Sequence, residues 1–429
     1  MTRTVRAVSA RRRGADRRGQ LAGIAADLFR RHGYHNVGVD DIAAAAGITG
    51  PAVYRHFRNK QAILTELAFS SVDDFGSLVD DVLGRPSGPV GAPVEPRLKS
   101  LTAALAPFFI ERRELYVLWV RERRNLDPES HDELRARLGR PMVRWTEQLC
   151  RERPELSSGD ANLLCWAALS VLGSPAHHRF NLPKARFEQL LREMADAVLH
   201  SDVVLHDTAL TGTALTGTGP VVADGTPPET TGASAWPSGV APRSSRRELL
   251  LAAAAGLFRE RGFHATSMED IGSAAGIAGP SVYRHFSGKQ DLLVAACLRM
   301  ADRIRVGAEA ALAASADPAA ALAGLMRSYV VTARDNSDLI AVYISEAENL
   351  PARDQAHLRR IQRAHLEDVA SVLVAVRPEL SEREARVMLS AVTTLVNDLV
   401  RMRRFRARPH LTEELTGLTL TALSAVPVG

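Results

Sequence analysis

Leu21, Ile24, Ala25, Leu28 and Phe29 recur at helical spacing and predict an amphipathic helix with one buried stripe. Gly33 follows as a left-handed C-cap, with Tyr34 folding back onto the helix end. A short helix is expected from about Asp40 to Ala46, with Ile42 and Ala46 on its inner face. Gly47 supplies a tight turn in which a β-carbon would clash, and Ile48 plugs the core beneath it. Gly50 and Pro51 open a second short helix that runs to His56, since proline is tolerated in a first turn needing no amide donor. Val53 and Phe57 point inward, which leaves Ala52, Tyr54, Arg55 and His56 outside; Lys60 then starts a long helix through Leu64 and Leu67.

The same pattern occurs again. Residues 28–57 read LFRRHGYHNVGVDDIAAAAGITGPAVYRHF, and residues 257–286 read LFRERGFHATSMEDIGSAAGIAGPSVYRHF. Phe29, Tyr54 and Lys60 recur as Phe258, Tyr283 and Lys289, an offset of 229 residues. Further along, Arg153-Pro154-Glu155-Leu156 recurs as Arg377-Pro378-Glu379-Leu380, and Asn125-Leu126 as Asn349-Leu350, at an offset of 224. The chain is therefore a tandem duplication, with five residues fewer in copy two between the blocks. Residues 202–242, rich in Thr, Gly, Pro and Ala, have no 3.6 periodicity and read as a flexible linker. A shorter Pro/Gly segment, Arg85 to Pro96, divides copy one. The expected organisation is a basic flexible tail at 1–16, a helix-turn-helix domain at 17–68 and a helical regulatory domain at 69–201. After the linker come a second helix-turn-helix domain at 243–298 and a second regulatory domain at 299–425.

Composition supports an all-α reading. Ala, Leu and Arg abound, aromatics are 5% and apolar residues 46%, enough to bury real cores. A net charge of +5 suits a polyanionic partner without proving one. The three cysteines, Cys150, Cys165 and Cys297, form no CxxC pair or metal-ligand spacing, which argues against a disulfide framework or zinc and fits a reducing cytoplasm. No apolar run is long enough to span a membrane, and no apolar stretch follows the N-terminal arginines as in a secretory signal. No cofactor is expected.

Two short helices around a glycine turn fit the geometry that lays a second helix in the major groove of double-stranded DNA. Its outer surface offers a phenol, a guanidinium and an imidazole, with an ammonium just beyond: donors for phosphate oxygens and base edges. The pattern LF-x(3)-G-[YF]-x(6)-DI-x(4)-GI-x-GP-x-VYRHF-x(2)-K-x(3)-L resembles the DNA-binding domain of the tetracycline-repressor family, twice over, across about fifty residues in each copy. The resemblance implies a ligand-relieved repressor that binds a near-palindromic operator as a two-fold pair. It implies phosphate contacts from Tyr54, His56 and Lys60, and from Tyr283, His285 and Lys289. Base reading would fall to Arg55 and Arg284 and to the starts of the recognition helices: Thr49, Gly50, Pro51 and Ala52, with Ala278, Gly279, Pro280 and Ser281. Ser267 with Asp270 forms a capping box in copy two, its hydroxyl one that the family often aims at phosphate; copy one has Gly38 there and is expected to grip DNA slightly less well. In the family, the last two helices of each subunit pair as a four-helix bundle, here 158–174 with 184–202 and 381–405 with 410–424. The expectation is an intramolecular pseudo-dimer, with a four-headed homodimer of chains as the alternative.

Other residues invite plainer readings. Trp119, Trp145 and Trp166 lie on amphipathic helices, with Tyr343 matching Trp119; core packing is the default, and lining the pocket of an unidentified small-molecule effector the alternative. His32 and His35 sit at a helix end and suit structural roles; His177-His178 has no acidic or cysteine partner nearby. Glu122 and Glu346, equivalent in the two copies, read as a surface ion pair rather than a ligand anchor. HExxH, GxSxG, P-loop and Rossmann signatures are all missing, so nothing suggests an enzyme. The remaining alternatives are an interaction protein that sequesters other regulators and a regulator with only one working head.

Overall fold

The computed structural model describes residues 2–84, 97–120, 122–177, 182–203, 205 and 243–425. Every regular element among them is a helix. Unit one contains α1 (Thr2–His32), α2 (Val39–Ala45), α3 (Gly50–Tyr54), α4 (Lys60–Leu83), α5 (Leu98–Glu111), α6 (Arg113–Val120), α7 (Pro128–Glu152), α8 (Ser158–Gly173) and α9 (Lys184–Leu199). Unit two repeats the order with α10 (Arg243–Arg261), α11 (Met268–Ala274), α12 (Gly279–Val282), α13 (Lys289–Ala313), α14 (Pro318–Asp335), α15 (Ser337–Ser345), α16 (Ala352–Val376) and α17 (Glu382–Arg401). It then adds a single turn, α18 (Arg403–Arg406), before α19 (Leu411–Ser424). Residues 85–96, His178 and all but a few of 202–242 lie outside the described residues.

Two boundaries differ from expectation. The first helix begins at Thr2 and takes in residues 2–16, expected as a flexible tail; Ala and Arg are strong helix formers, and that stretch is rich in both. The head and regulatory domains do not part near residues 68 and 298, because α4 and α13 run unbroken from one to the other. Each head is thus rigidly coupled to the helices behind it.

Pairing of the units follows from residue pattern. Every residue of α8 from Gly159 to Gly173 is buried except Trp166, which is half-buried. A helix whose apolar residues occupy most of its circumference needs cover on several sides. Its own unit covers it with α7 and α9, and α17 of unit two closes the remaining face, while α19 packs on α9. α17 answers in kind, with Val387, Met388, Ala391, Val392, Leu395, Leu399 and Val400 all buried. One continuous apolar core joins head one, both regulatory regions and this four-helix seam; head two has its own core, built on Phe258, Ile271, Val282 and Phe286.

Polar groups in the seam are satisfied across it. Buried Arg408 donates to Glu414 at 2.7 and 2.9 Å and reaches Asp160 of unit one. Arg186 bonds Glu384 at 2.6 Å on the other side. The Tyr116 hydroxyl donates to buried Asp398, which also pairs with Arg401; burial, then the adjacent carboxylate, pushes this phenol well above its usual range.

Candidate nucleic-acid interface

In both heads the turns close as the glycines require. Gly33, Gly47, Gly262 and Gly276 have φ of 79, 66, 80 and 65°, the left-handed region that residues with a β-carbon rarely adopt. The start of α11 is held reciprocally: Asp270 N donates to Ser267 Oγ at 3.0 Å, and Ser267 N donates to Asp270 Oδ2 at 2.9 Å. In head one only the return bond survives, from Gly38 N to Asp41 Oδ2 at 2.7 Å.

The recognition helices α3 and α12 bury Val53 and Val282 and turn the predicted surface outward. Tyr54 is 55% and Tyr283 53% exposed, large rings with no apolar cover. Arg55, Arg284, Thr49, Ala278, Pro51 and Pro280 are exposed as well, while His56, His285, Gly50, Ala52, Ser281 and Ser267 are half-buried. The side surface of Gly279 lies outside the described residues. Each head therefore presents one face carrying an exposed phenol and guanidinium and a half-buried imidazole. Beneath head one, Arg18 stacks on Phe57 with its guanidinium carbon 4.6 Å from the ring centroid and donates to the His56 carbonyl at 2.9 Å. Arg247 sits over Phe286 at 4.4 Å in head two. This pair of clamps was not singled out in the sequence, although both arginines occupy the same place in the repeat.

The lysines have a different employment from the one expected. Lys289 Nζ donates to the carbonyls of Phe263, His264 and Thr266 at 2.8, 3.2 and 3.0 Å, and lies 4.6 Å from the Phe263 ring centroid. An ammonium has three donors, so all of them are spent inside the head. Lys60 donates to Tyr34 and Val37 carbonyls, both at 2.8 Å, which leaves one donor. Burial lowers the pKa of both groups. These cations staple the turn after the first helix to the start of the long helix by donating to the turn's carbonyls.

Glu122 and Glu346 are likewise not a surface pair. They are 2% and 0% exposed. Glu346 is matched by Arg124 from the other unit, and each glutamate accepts from its own asparagine, Asn125 or Asn349, at 2.7 Å. Those asparagines hold His35 at 2.8 Å and His264 at 3.0 Å, and the two imidazoles meet across the units with centroids 4.5 Å apart. The heads touch directly here. The repeated Glu-x-x-Asn was the visible signal; only the fold puts both copies in one place.

Of the pocket candidates, Trp119 packs with Phe75, Phe109 and Tyr116 and donates to Ser71 Oγ at 2.7 Å. Trp166 lies in the seam under Arg404, whose guanidinium is 4.8 Å from the ring and has its pKa pushed down by burial to about 10. Trp145 is wholly buried in the core, and Tyr343 is half-buried, its phenol pushed up by burial. None of the four lines a small, partly open cleft of about 40 Å³ in unit two between α13, α14, α16 and α17. Among the described residues no cluster of His, Cys, Asp and Glu could hold a metal, and no helix is long and apolar enough to cross a membrane.

Residues 24–67 and 250–296 each match the family described as bacterial regulatory proteins, tetR family. Over 76 residues the chain is 41% identical to the HTH-type transcriptional activator FasR of Mycolicibacterium smegmatis, covering 18% of this chain and 35% of that protein. Over 113 residues it is 32% identical to the HTH-type transcriptional repressor KstR2 of Rhodococcus jostii, covering 26% of this chain and 55% of that protein. The chain thus spans between a third and just over half of the length of these relatives. A solved TetR-family regulator, PfmR from Thermus thermophilus, is 24% identical and is covered over 98% of its own chain and 42% of this one, with a TM-score of 0.37.

Proposed function

Because this chain belongs to the tetR family of bacterial regulatory proteins, to which both of its heads match, we propose that it is a sequence-specific transcriptional regulator whose two heads grip one operator. The observation that carries this is the duplicated outer face: Tyr54 and Tyr283 stand more than half exposed on short helices that differ at one position, Ala52 against Ser281. Aromatic rings left in water at matching places suit a partner surface. Phenols and imidazoles would donate to phosphates; Arg55 and Arg284 would read bases. The reading further takes one chain as the two-fold unit, with a homodimer of chains as the competing arrangement. Support comes from α8, which needs α17 to cover it. An effector that favours one head spacing over another would release DNA through its unequal affinity for the two states. That makes a ligand-relieved repressor of the cytoplasm the best fit.

A gel shift on the DNA upstream of the chain's own gene tests the reading. Binding that falls steeply with salt is expected, because phosphate contacts release counterions. Arg284→Ala should cost about 1–3 kcal/mol at one operator position and leave the others unchanged. Equal weakening on all sequences would assign that arginine to the backbone instead.

A further inference from the structure

The two heads hold one arginine of the repeat under different charge. Arg18 and Arg247 share a position, and each lies over the phenylalanine that follows its recognition helix, Phe57 at 4.6 Å and Phe286 at 4.4 Å. In head one, Glu66 on α4 takes Arg18 with both carboxylate oxygens, and a further N–H donates to the His56 carbonyl. That pair is neutral, and a phosphate brought to its edge would meet the carboxylate as well as the cation. In head two, the 229 offset puts Ala295 where head one has Glu66. Among the described residues Arg247 has its ring contact with Phe286 but no ion pair and no hydrogen bond. Its neighbour Glu248 cannot neutralise it, because Arg299 occupies both of that carboxylate's oxygens.

We propose that Arg247 holds a backbone phosphate of the DNA beneath head two, and that head one lacks this contact because Glu66 neutralises Arg18. The location follows from the repeat: the bond from Arg18 to the His56 carbonyl places this position at the end of the recognition helix, beside the outward face. A guanidinium stacked on a ring is engaged through its face and keeps its N–H donors at the edge, in a fork that matches two phosphate oxygens. Phe286 is itself buried, so the stack holds the half-buried Arg247 side chain in place, and less freedom is lost when a phosphate arrives. The partner group is a phosphodiester and not a base edge, so the contact adds grip and register without reading sequence. Two outwardly similar heads therefore hold the backbone unequally, and the cause is one carboxylate on the long helix.

The inference rests on the regulator reading above, and the experiment separates the two. The affinity of the intact chain is measured against salt on two duplexes, the DNA upstream of its gene and an unrelated sequence. Each neutralised phosphate contributes about 0.9 to the slope of log affinity against log salt. Arg247→Gln should flatten the slope by about 0.9 on both duplexes, and Arg247→Lys should retain it. Ala295→Glu should reproduce the loss without touching the arginine, while Ala295→Gln, of the same size, should not. Glu66→Ala frees Arg18 and should steepen the slope by as much; the paired change of Arg18→Gln with Glu66→Gln should leave it unaltered. A packing role for Arg247 would instead lower affinity in parallel at every salt concentration. Such a parallel loss, an unchanged slope for Arg247→Gln, or an equal flattening from the paired change in head one would overturn the proposal. Equal affinity for the two duplexes would sink the sequence-specific reading and leave the slopes to decide this one; no binding to either duplex would overturn both.

Discussion

The recognition helices α3 and α12 differ only at Ala52 and Ser281, with Thr49 and Ala278 just ahead. Behind them, Phe75, Phe109, Trp119 and Trp145 of unit one correspond by the repeat to Ile304, Ala333, Tyr343 and Val369 of unit two. The outward surface is nearly the same twice, and the interior is not. In a homodimer both halves come from one sequence, so an interior change appears in both. A fused pair is free of that constraint: its two heads stay alike while its two interiors diverge. The seam shows the same asymmetry, since Arg408 is buried between Asp160 and Glu414 on one side, whereas Arg186–Glu384 on the other is partly open to water.

The largest effect is expected at that seam. Arg408→Ala removes the buried cation that pairs with Asp160 and Glu414 and should cost about 3–5 kcal/mol, read as a lower urea midpoint. Arg186→Ala, at the more exposed pair, should cost under about 1 kcal/mol. Similar losses at the two sites would erase the distinction between the sides.

A smaller difference separates the heads. Lys289→Ala removes three carbonyl bonds and should destabilise head two by roughly 1.5–3 kcal/mol; Lys60→Ala removes two and should cost less. Amide exchange in residues 262–289 would report it, with the salt slope of DNA binding unchanged for Lys289→Ala. A flattened slope would return the lysine to the phosphate backbone.

The mildest test concerns pH. The His35 pKa is lowered by burial and then by His264, with Asn125 and Glu122 opposing and Lys60 adding to the shift. The unfolded chain therefore takes the proton first, so stability is full above the ordinary histidine value near 6.5 and declines as pH falls below it. Half-buried His365 has the same sign. Comparing urea midpoints at pH 7.5 and 5.5, His35→Gln should shrink the drop without removing it. An unchanged drop would show that the contact between the heads carries none of it.

Much of this was legible in the residues themselves. Gly47 and Gly276 announced the turn because a left-handed backbone has few occupants, and the inward Val53 and Val282 followed from helical spacing. What escaped depends on neighbours distant in sequence. Lys60 and Lys289 read as free cations until the carbonyls 23 to 26 residues upstream close on them. Glu346 read as a surface charge because its partner Arg124 lies 222 positions away. The exchange of ring for branch at Trp145/Val369 is plain in the sequence, but which helices surround that position is not. α18 is a single turn between two longer helices, and no periodicity marks it.

The central claim is that one chain is the complete two-fold unit. Light scattering on the free protein and on its complex with a minimal two-half-site duplex tests it most directly. A free mass near 46.5 kDa, with one chain on each duplex, is the predicted result; twice that mass, or two chains on the minimal site, would contradict it.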